Sequence, residues 1–340
     1  MTVETIDINE LATRLGAAAY TPSSFFKVDL DGLHRLDAAK IDEIAVLLNH
    51  DSVPVILGVS DEPVAASGRR LIDALTFTVA PEAPGRSWVD GGPGALDDLE
   101  ETVSRAPVAA AVLARILRIG PSLEVNSALE LESAAYSMLL GSDEFRSWRA
   151  SVPVRSAPDD DEAVIVQREG DILHVTLNRP RRHNAFGRAM RDQLIDALAI
   201  ARIDDTVSVV HLSGRGPSFC SGGDLDEFGT AGSPAEAHLV RMQQSAGLAV
   251  HELADRVHVT VHGSCIGAGI EIPAFACRVV ARDDARFRLP EIGMGLIPGA
   301  GGTVSIPRRI GRWRTAYLAL TGRTIDVDVA LAWGLVDGRA

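Results

Sequence analysis

Gly263-Ser-Cys-Ile-Gly-Ala-Gly-Ile-Glu271 is a glycine-rich turn between two segments of predicted regular structure. The residues before it, 257–261, alternate apolar and polar side chains as a half-buried strand does, and the residues from its middle onward fit a short helix over 267–276. Small residues at a strand-to-helix turn leave main-chain N–H groups uncovered, and a helix N-terminus adds unpaired donors. The stretch therefore predicts that N–H groups meet a ligand here, although a turn that only needs positive φ has the same composition.

A second glycine-rich turn, Ser218-Phe-Cys-Ser-Gly-Gly-Asp-Leu225, follows a strand predicted over residues 207–212. Two such turns that direct N–H groups at one oxygen atom would form an oxyanion hole. For either turn alone, a backbone requirement for glycine is the simpler explanation. The prediction therefore depends on the two turns meeting in the fold.

Two glutamates accompany the first of these turns. Glu271 lies in the first turn of the predicted helix, and Glu291 lies in the apolar, glycine-rich segment 288–302, which prolines and glycines interrupt too often for a long regular element. A carboxylate in a loop that packs against protein is partly desolvated, which raises its pKa toward a useful acid–base range. Each acid also has an ordinary alternative role: Glu271 as an acid that stabilises a helix N-terminus, and Glu291 as a solvated loop acid.

The order of predicted elements divides the chain into two parts. After residue 163, strands alternate with helices, which favours parallel βαβ units and an α/β fold. The earlier part is predicted to be mostly helical, with strand-like stretches at 53–59 and 77–80. The segment between them has two prolines and three consecutive aspartates, which is typical of a surface linker. We assign an N-terminal region to 1–150, a linker to 151–162 and a core to 163–340.

Composition excludes several classes of protein. The 340 residues include 33 Lys and Arg against 46 Asp and Glu, and this net charge of −13 argues against nucleic-acid and anionic-membrane partners. Three cysteines without CxxC spacing predict neither a zinc ribbon nor a disulfide framework, and they fit a reducing compartment. No apolar run reaches the roughly 18 residues of a membrane-spanning helix, and the first residues lack a secretory signal. We expect a cytoplasmic protein without a metal site.

Several stretches together resemble the crotonase family, the enoyl-CoA hydratase/isomerase superfamily. They occur in family order and cover about residues 163–340. The matching stretches are Asn178-Arg-Pro-Arg-Arg-His-Asn-Ala-Phe186, Phe219-Cys-Ser-Gly-Gly-Asp-Leu225, His262-Gly-Ser-Cys-Ile-Gly-Ala-Gly-Ile-Glu271, Leu289-Pro-Glu-Ile-Gly-Met-Gly-Leu-Ile-Pro-Gly-Ala-Gly-Gly302 and Ala330-Leu-Ala-Trp-Gly-Leu-Val336.

The resemblance implies a crotonase-like core of repeated ββα units wound into a spiral. It implies an oxyanion hole made by the N–H groups of Ser221 and Ala268, and a water molecule held between Glu271 and Glu291. It also implies that the acyl-CoA lies against residues around both turns, which are Arg181, Arg182, Asn184, Ala185, Asp224 and Leu225. Pro273 departs from the family pattern and leaves the direction of the Glu271 side chain open.

The activity that the resemblance implies is enoyl-CoA hydration, because hydratases of the family have both glutamates. The substrate is an acyl-CoA, CoA is part of that substrate, and no other cofactor is expected. A homo-oligomer, a trimer or a hexamer, is also implied. The alternatives are an isomerase, a thioester hydrolase or a cofactor-free oxygenase with the same oxyanion hole, and a non-catalytic assembly partner.

Residues 107–150 resemble the C-terminal helices of crotonases. Short apolar stretches near residues 53 and 71 also resemble those near 257 and 272. We interpret the N-terminal region as a degenerate second crotonase half whose helices cover the site of its own chain or of a neighbour. An unrelated helical appendage is the alternative.

Overall fold

The computed structural model describes residues 4–17, 21, 24–49, 54–153 and 162–340. The strands are β1 (Glu4–Asp7), β2 (Phe25–Asp29), β3 (Val55–Val59), β4 (Phe77–Val79), β5 (Trp88–Val89), β6 (Val164–Glu169), β7 (Ile172–Leu177), β8 (Val209–Gly214), β9 (Val257–Val261), β10 (Ser264–Ile266), β11 (Arg278–Ala281), β12 (Arg286–Arg288) and β13 (Gly338–Arg339). The helices are α1 (Ile8–Gly16), α2 (Ala38–Leu48), α3 (Arg69–Ala74), α4 (Ala95–Arg105), α5 (Pro107–Ile119), α6 (Val125–Leu140), α7 (Asp143–Ser151), α8 (Arg188–Ile203), α9 (Pro234–Gln243), α10 (Ala246–Glu252), α11 (Ala268–Glu271), α12 (Gly302–Thr321, broken at Gly311) and α13 (Val327–Trp333).

The C-terminal part is built on the sheet β13-β11-β9-β8-β7-β6, in which only the β6–β7 pair is antiparallel. Strands β10 and β12 form a separate parallel pair. Along β7, β8 and β9 the side chains alternate between buried and partly exposed, as expected for strands with one face in the core. The mixed α/β architecture predicted for this part is confirmed.

The N-terminal part contains its own parallel sheet, with strands in the order β1-β2-β3-β4-β5. The sequence indicated only β3 and β4, so the description of residues 1–150 as mostly helical fits residues 95–151 and not the residues before them. Strand β2 was missed because Lys27 and Asp29 interrupt its apolar run, and β5 has only two residues. These short strands pair through the main chain, which composition does not reveal.

The two sheets share a strand order. Each contains four parallel neighbours in a row: β4-β3-β2-β1 in one and β11-β9-β8-β7 in the other. The interpretation of the N-terminal region as a second, degenerate crotonase-like half stays a prediction.

Two predicted helices are interrupted. The helix predicted over 234–254 is two helices, since Gln244 leaves the helical conformation and the Ser245 hydroxyl accepts a hydrogen bond from the Leu248 N–H at 3.2 Å, which begins α10. The helix predicted over 267–276 ends at Glu271, and a 3₁₀ turn follows from Pro273. Proline has no N–H to donate and disfavours a continued α-helix.

One hydrophobic core continues across both parts of the chain. Phe77 of β4 packs edge-on against Tyr317 of α12, with ring centroids 5.6 Å apart. The Tyr317 hydroxyl donates to the Gly91 carbonyl at 3.0 Å. A second core, formed mainly by β1–β3 and α1–α3, belongs to the N-terminal part alone. Most of the predicted linker, residues 154–161, lies outside the described residues.

Within the part of the chain that the structure describes, no helix combines the length and apolarity needed to cross a bilayer.

We expect Phe77→Ala to lower the free energy of unfolding by about 3–5 kcal/mol, because it leaves a cavity where the two parts meet. Urea unfolding followed by circular dichroism and tryptophan fluorescence measures this change. Val46→Ala, at a side chain that is 66% exposed, is the control and should change little. A Phe77→Ala protein in which one part unfolds separately at unchanged stability would contradict a continuous core.

Candidate active site

The first glycine turn brings the two predicted acids to one point. Gly267 has φ +51°, and a Cβ there would lie 2.5 Å from Glu291 Oε1 and 3.5 Å from Glu271 Oε1. The same position is 3.7 Å from the Gly222 Cα of the second turn. Any side chain at Gly267 would displace a carboxylate, so its absence allows both acids and both turns to meet.

Glu271 is held from one side. It ends α11, and its Oε2 accepts hydrogen bonds from the N–H groups of Ala300 at 2.8 Å and Gly302 at 2.9 Å. Gly302 must be small, because a Cβ there would lie 2.6 Å from Glu271 Cγ. The loop before α12 therefore fixes the side chain whose direction the sequence left open, and it leaves Oε1 facing Glu291.

Glu291 begins a 3₁₀ turn after Pro290. Its Oε2 is buried and has no hydrogen-bonding partner in the described parts of the chain. Burial raises the pKa of Glu291 to about 8. Burial also raises the pKa of Glu271 well above its ordinary value, and the nearby carboxylates of Glu291 and Glu132 add to this effect. The pair therefore retains at least one proton at neutral pH, so that an acid and a base can stand side by side.

The two predicted oxyanion donors differ in this structure. The Ala268 N–H has no acceptor among the described residues. In contrast, the Ser221 N–H donates to the His183 carbonyl at 3.0 Å. Ala268 is thus ready to receive a ligand oxygen, whereas Ser221 must give up a main-chain partner to do so. The role predicted for Ser221 stays a prediction.

A cavity of about 1030 Å³ contains this group of residues. Its wall includes Glu271, Glu291 and Ala268 together with residues of α6, α7 and α9. The helices that resemble crotonase C-terminal helices therefore lie over the cavity of their own chain. Five arginines also lie on the wall: Arg146, Arg149, Arg188, Arg191 and Arg241.

Asn184, predicted to contact the acyl-CoA, is fully buried. Its Nδ2 donates to the carbonyls of Arg215, Ser218 and Phe219 at 2.9–3.0 Å, and its Oδ1 accepts from the Arg179 N–H at 2.7 Å. All of these bonds are within the protein. The side chain of Asn184 therefore shapes the second glycine turn and does not face a ligand.

Asp224 lies on the cavity wall, but its carboxylate is engaged. It accepts from Arg179 at 3.0 Å and from Arg182 at 2.9 Å, and Arg182 also pairs with Asp226. These ion pairs occupy the Arg182 guanidinium, which the family resemblance places against the acyl-CoA. Arg181 is exposed, so its predicted role stays open.

The two remaining predicted contact residues each contact an arginine through the main-chain carbonyl. Ala185 is buried, and its carbonyl accepts from Arg179 at 2.7 Å. Leu225 is 39% exposed, and its carbonyl accepts from Arg149 of α7 at 3.2 Å. Neither lines the cavity among the described residues.

The sequence analysis missed Glu132, a third carboxylate at the site. It lies on α6 and is 2% exposed. Its Oε1 accepts from the Gly301 N–H at 2.8 Å, and its Oε2 accepts from the N–H and hydroxyl of Thr303 at 2.8 and 2.7 Å. The available signal was a glutamate in helical register with Leu129 and Tyr136, on a face that should otherwise be apolar.

The C-terminal half of the chain is similar to known proteins. The family model described as "Enoyl-CoA hydratase/isomerase" matches residues 167–338, about half of the chain. The chain is 36% identical over 173 residues to the 2,3-dehydroadipyl-CoA hydratase of Escherichia coli, which is 51% of this chain and 67% of that protein. It is 33% identical over 179 residues to the 1,2-epoxyphenylacetyl-CoA isomerase of Escherichia coli, which is 52% of this chain and 68% of that protein.

Among solved structures, an enoyl-CoA hydratase from Thermoplasma volcanium matches 52% of this chain and 71% of its own, with 32% identity and a TM-score of 0.49. The chain thus spans about two thirds of the length of these relatives. The five stretches quoted from the sequence lie almost entirely within the matched region. The chain belongs to the enoyl-CoA hydratase/isomerase family of the crotonase superfamily.

Proposed function

We propose that the protein is an enoyl-CoA hydratase that adds water across the 2,3 double bond of an enoyl-CoA. One observation carries the proposal: Glu271 and Glu291 converge at Gly267, beside the unoccupied N–H of Ala268, inside one cavity. Hydration needs a base for water, an acid for carbon, and a donor for the thioester oxygen. These groups supply all three without a further cofactor, since CoA is part of the substrate.

The proposed reaction follows from these positions. The ionised carboxylate of the pair takes a proton from water as its oxygen bonds to C3. The electrons of the double bond move toward the thioester oxygen, and the enolate is stabilised by the Ala268 N–H and by the Ser221 N–H once it leaves the His183 carbonyl. The protonated carboxyl then gives its proton to C2, which restores a pair with one proton. Loss of one oxyanion donor typically costs about 3–4 kcal/mol in the barrier.

An isomerase is the principal alternative, because one of the relatives reported above is named as an isomerase. It would use the same donors and move a proton from one carbon to another without adding water. A thioester hydrolase, a cofactor-free oxygenase and a non-catalytic assembly partner are further alternatives. Incubation with an enoyl-CoA in heavy-oxygen water distinguishes hydration from isomerisation, since hydration places solvent oxygen on C3 and isomerisation places none.

A cytoplasmic location and a trimeric or hexameric assembly also stay predictions. Fractionation of the cells tests the first, and light scattering of the purified chain tests the second.

We expect Glu271→Gln and Glu291→Gln each to lower the kcat for hydration of crotonyl-CoA or a longer enoyl-CoA by at least about 100-fold, because each removes an acid–base group. Loss of absorbance of the enoyl thioester measures the rate. Glu169→Gln is the matched control at a carboxylate that is 87% exposed and should retain the parent rate. If both site variants hydrate as fast as the parent, the assigned roles are wrong.

We also expect the free energy of unfolding to depend on pH, because Glu291 retains a proton in the folded protein. The pKa of Glu291 in the folded protein, about 8, exceeds its ordinary value of 4.5. The folded state is therefore favoured by the neutral acid below about pH 4.5, and this contribution is lost as pH rises through about 8. The free energy of unfolding of the parent, relative to that of Glu291→Gln, should fall between pH 5 and 8. A difference that stays constant with pH, measured by urea titration, would show that no proton is retained.

A further inference from the structure

The geometry points to Glu132 as a positioning residue for the proposed hydratase, supplied from outside the region that matches the family. It holds the loop that orients Glu271, and it places a negative charge next to the pair of acids. This inference rests on the proposed function for the meaning of Glu271 and Glu291. Its contacts are independent of that proposal.

The two glutamates hold alternate residues of one short segment. Glu271 accepts from the N–H groups of residues 300 and 302, while Glu132 accepts from those of residues 301 and 303. Successive N–H groups in this segment therefore point to opposite sides, and each side ends on a carboxylate. Loss of the hydrogen bonds to Glu132 would let the segment rotate, and the Glu271 carboxylate would move with it.

Glycines allow α6 to approach this segment. A Cβ on Gly299 would overlap the ring of Tyr136 of α6, and a Cβ on Gly301 would overlap the ring of Phe275 on the other side of the segment. Gly301 also has φ +103°, a conformation that other residues rarely adopt. The absence of side chains at Gly299 and Gly301 thus allows α6 to pack closely and lets Glu132 reach the N–H groups of residues 301 and 303.

The charge of Glu132 acts on the acid pair from a buried position. Arg241 of α9 makes no direct ion pair with Glu132 among the described residues. Its guanidinium donates to the hydroxyl and carbonyl of Ser133 and to the Ser137 hydroxyl, and it lies 4.7 Å from the centre of the Tyr136 ring. Burial raises the pKa of Glu132 to about 7, against the hydrogen bonds from Thr303 and Gly301. Above that pH its charge adds to the elevation of the pKa values of Glu271 and Glu291.

A purely structural role is the competing explanation. The donors from residues 302 and 303 belong to the first turn of α12, and Gly301, the residue before that helix, has no side chain to cap it. A carboxylate at such a site stabilises a helix by itself. A capping role predicts lost stability without a change in the ionisation of the acid pair.

Three variants of the full chain separate the two explanations. Glu132→Gln removes the charge, and we expect kcat to fall about 10- to 100-fold and the alkaline limb of its pH profile to move down by about one pH unit. Thr303→Val removes one hydrogen bond to Glu132 and so raises the pKa of Glu132, but it leaves the carboxylate able to ionise at alkaline pH, so the limb should move by less than it does in Glu132→Gln. Glu132→Asp keeps the charge but is one methylene too short to reach its partners, so kcat should fall while the limb stays.

An infrared titration of the substrate-free protein provides a readout without turnover. The band of the protonated carboxyl pair should disappear at lower pH in Glu132→Gln than in the parent or in Thr303→Val. This result would stand even if the parent hydrates no enoyl-CoA, in which case the proposed function alone fails.

The inference is overturned if the band and the pH profile of Glu132→Gln match those of the parent, or if Thr303→Val shifts them equally. It is also overturned if Glu132→Asp retains the parent kcat. The last comparison remains decisive if Glu132→Gln does not fold, which circular dichroism reports.

Discussion

The site depends on a steric constraint at Gly267. Two buried carboxylates meet in a space that a single methyl group would fill, and main-chain donors of two distant turns border the same space. Taking carboxylates out of water is costly, so such a meeting is stable only when protons or hydrogen bonds compensate. Here the main-chain N–H groups at the start of α12 offset the cost of burying Glu271. Protons that the pair retains offset the remaining cost of burial. The chemistry that the site offers, an acid beside a base, is thus the direct result of how the fold makes the burial of these groups tolerable.

The N-terminal part packs against the helix whose first turn holds Glu271. Its helices α4, α5 and α6 share one apolar core with α12, and α12 begins at the loop that binds Glu271. A helix begins with N–H groups that lack partners within the helix, and in α12 these groups meet one carboxylate from each part of the chain. The family match begins at residue 167, so half of this arrangement comes from residues that the family comparison does not include.

The sequence predicted those features that local chemistry determines. Alternation located β7 and β9 correctly, and glycine-rich turns with nearby acids indicated Glu271 and Glu291, whereas Ala268 was implied by the family resemblance. Features that depend on distant contacts were not predictable in this way. Glu132 is more than a hundred residues from its partners, and a helical glutamate carries no mark of the N–H groups it will meet. Strand β2 contains a lysine and an aspartate, and Lys27 is accommodated by an ion pair with the distant Glu100. For the segment of Arg182 and Asn184, charge and composition could not show that the side-chain partners lie within the protein.

That segment explains how the fold presents the Ser221 amide. His183 and Asn184 have φ +51° and +53°, a left-handed conformation that costs residues other than glycine about 1–3 kcal/mol. The turn is nevertheless held, because the Asn184 side chain donates to the carbonyl of Arg215 and to two carbonyls of the second glycine turn, and the Arg179–Asp224 ion pair at 3.0 Å closes it. A buried ion pair contributes little net stability, but removal of one partner would leave a charge without compensation. In the resulting geometry the His183 carbonyl occupies the Ser221 N–H in the absence of a ligand. The same turn that positions this N–H also provides its acceptor. In the proposed oxyanion hole, a thioester oxygen would therefore compete with a main-chain acceptor at Ser221 and with none at Ala268.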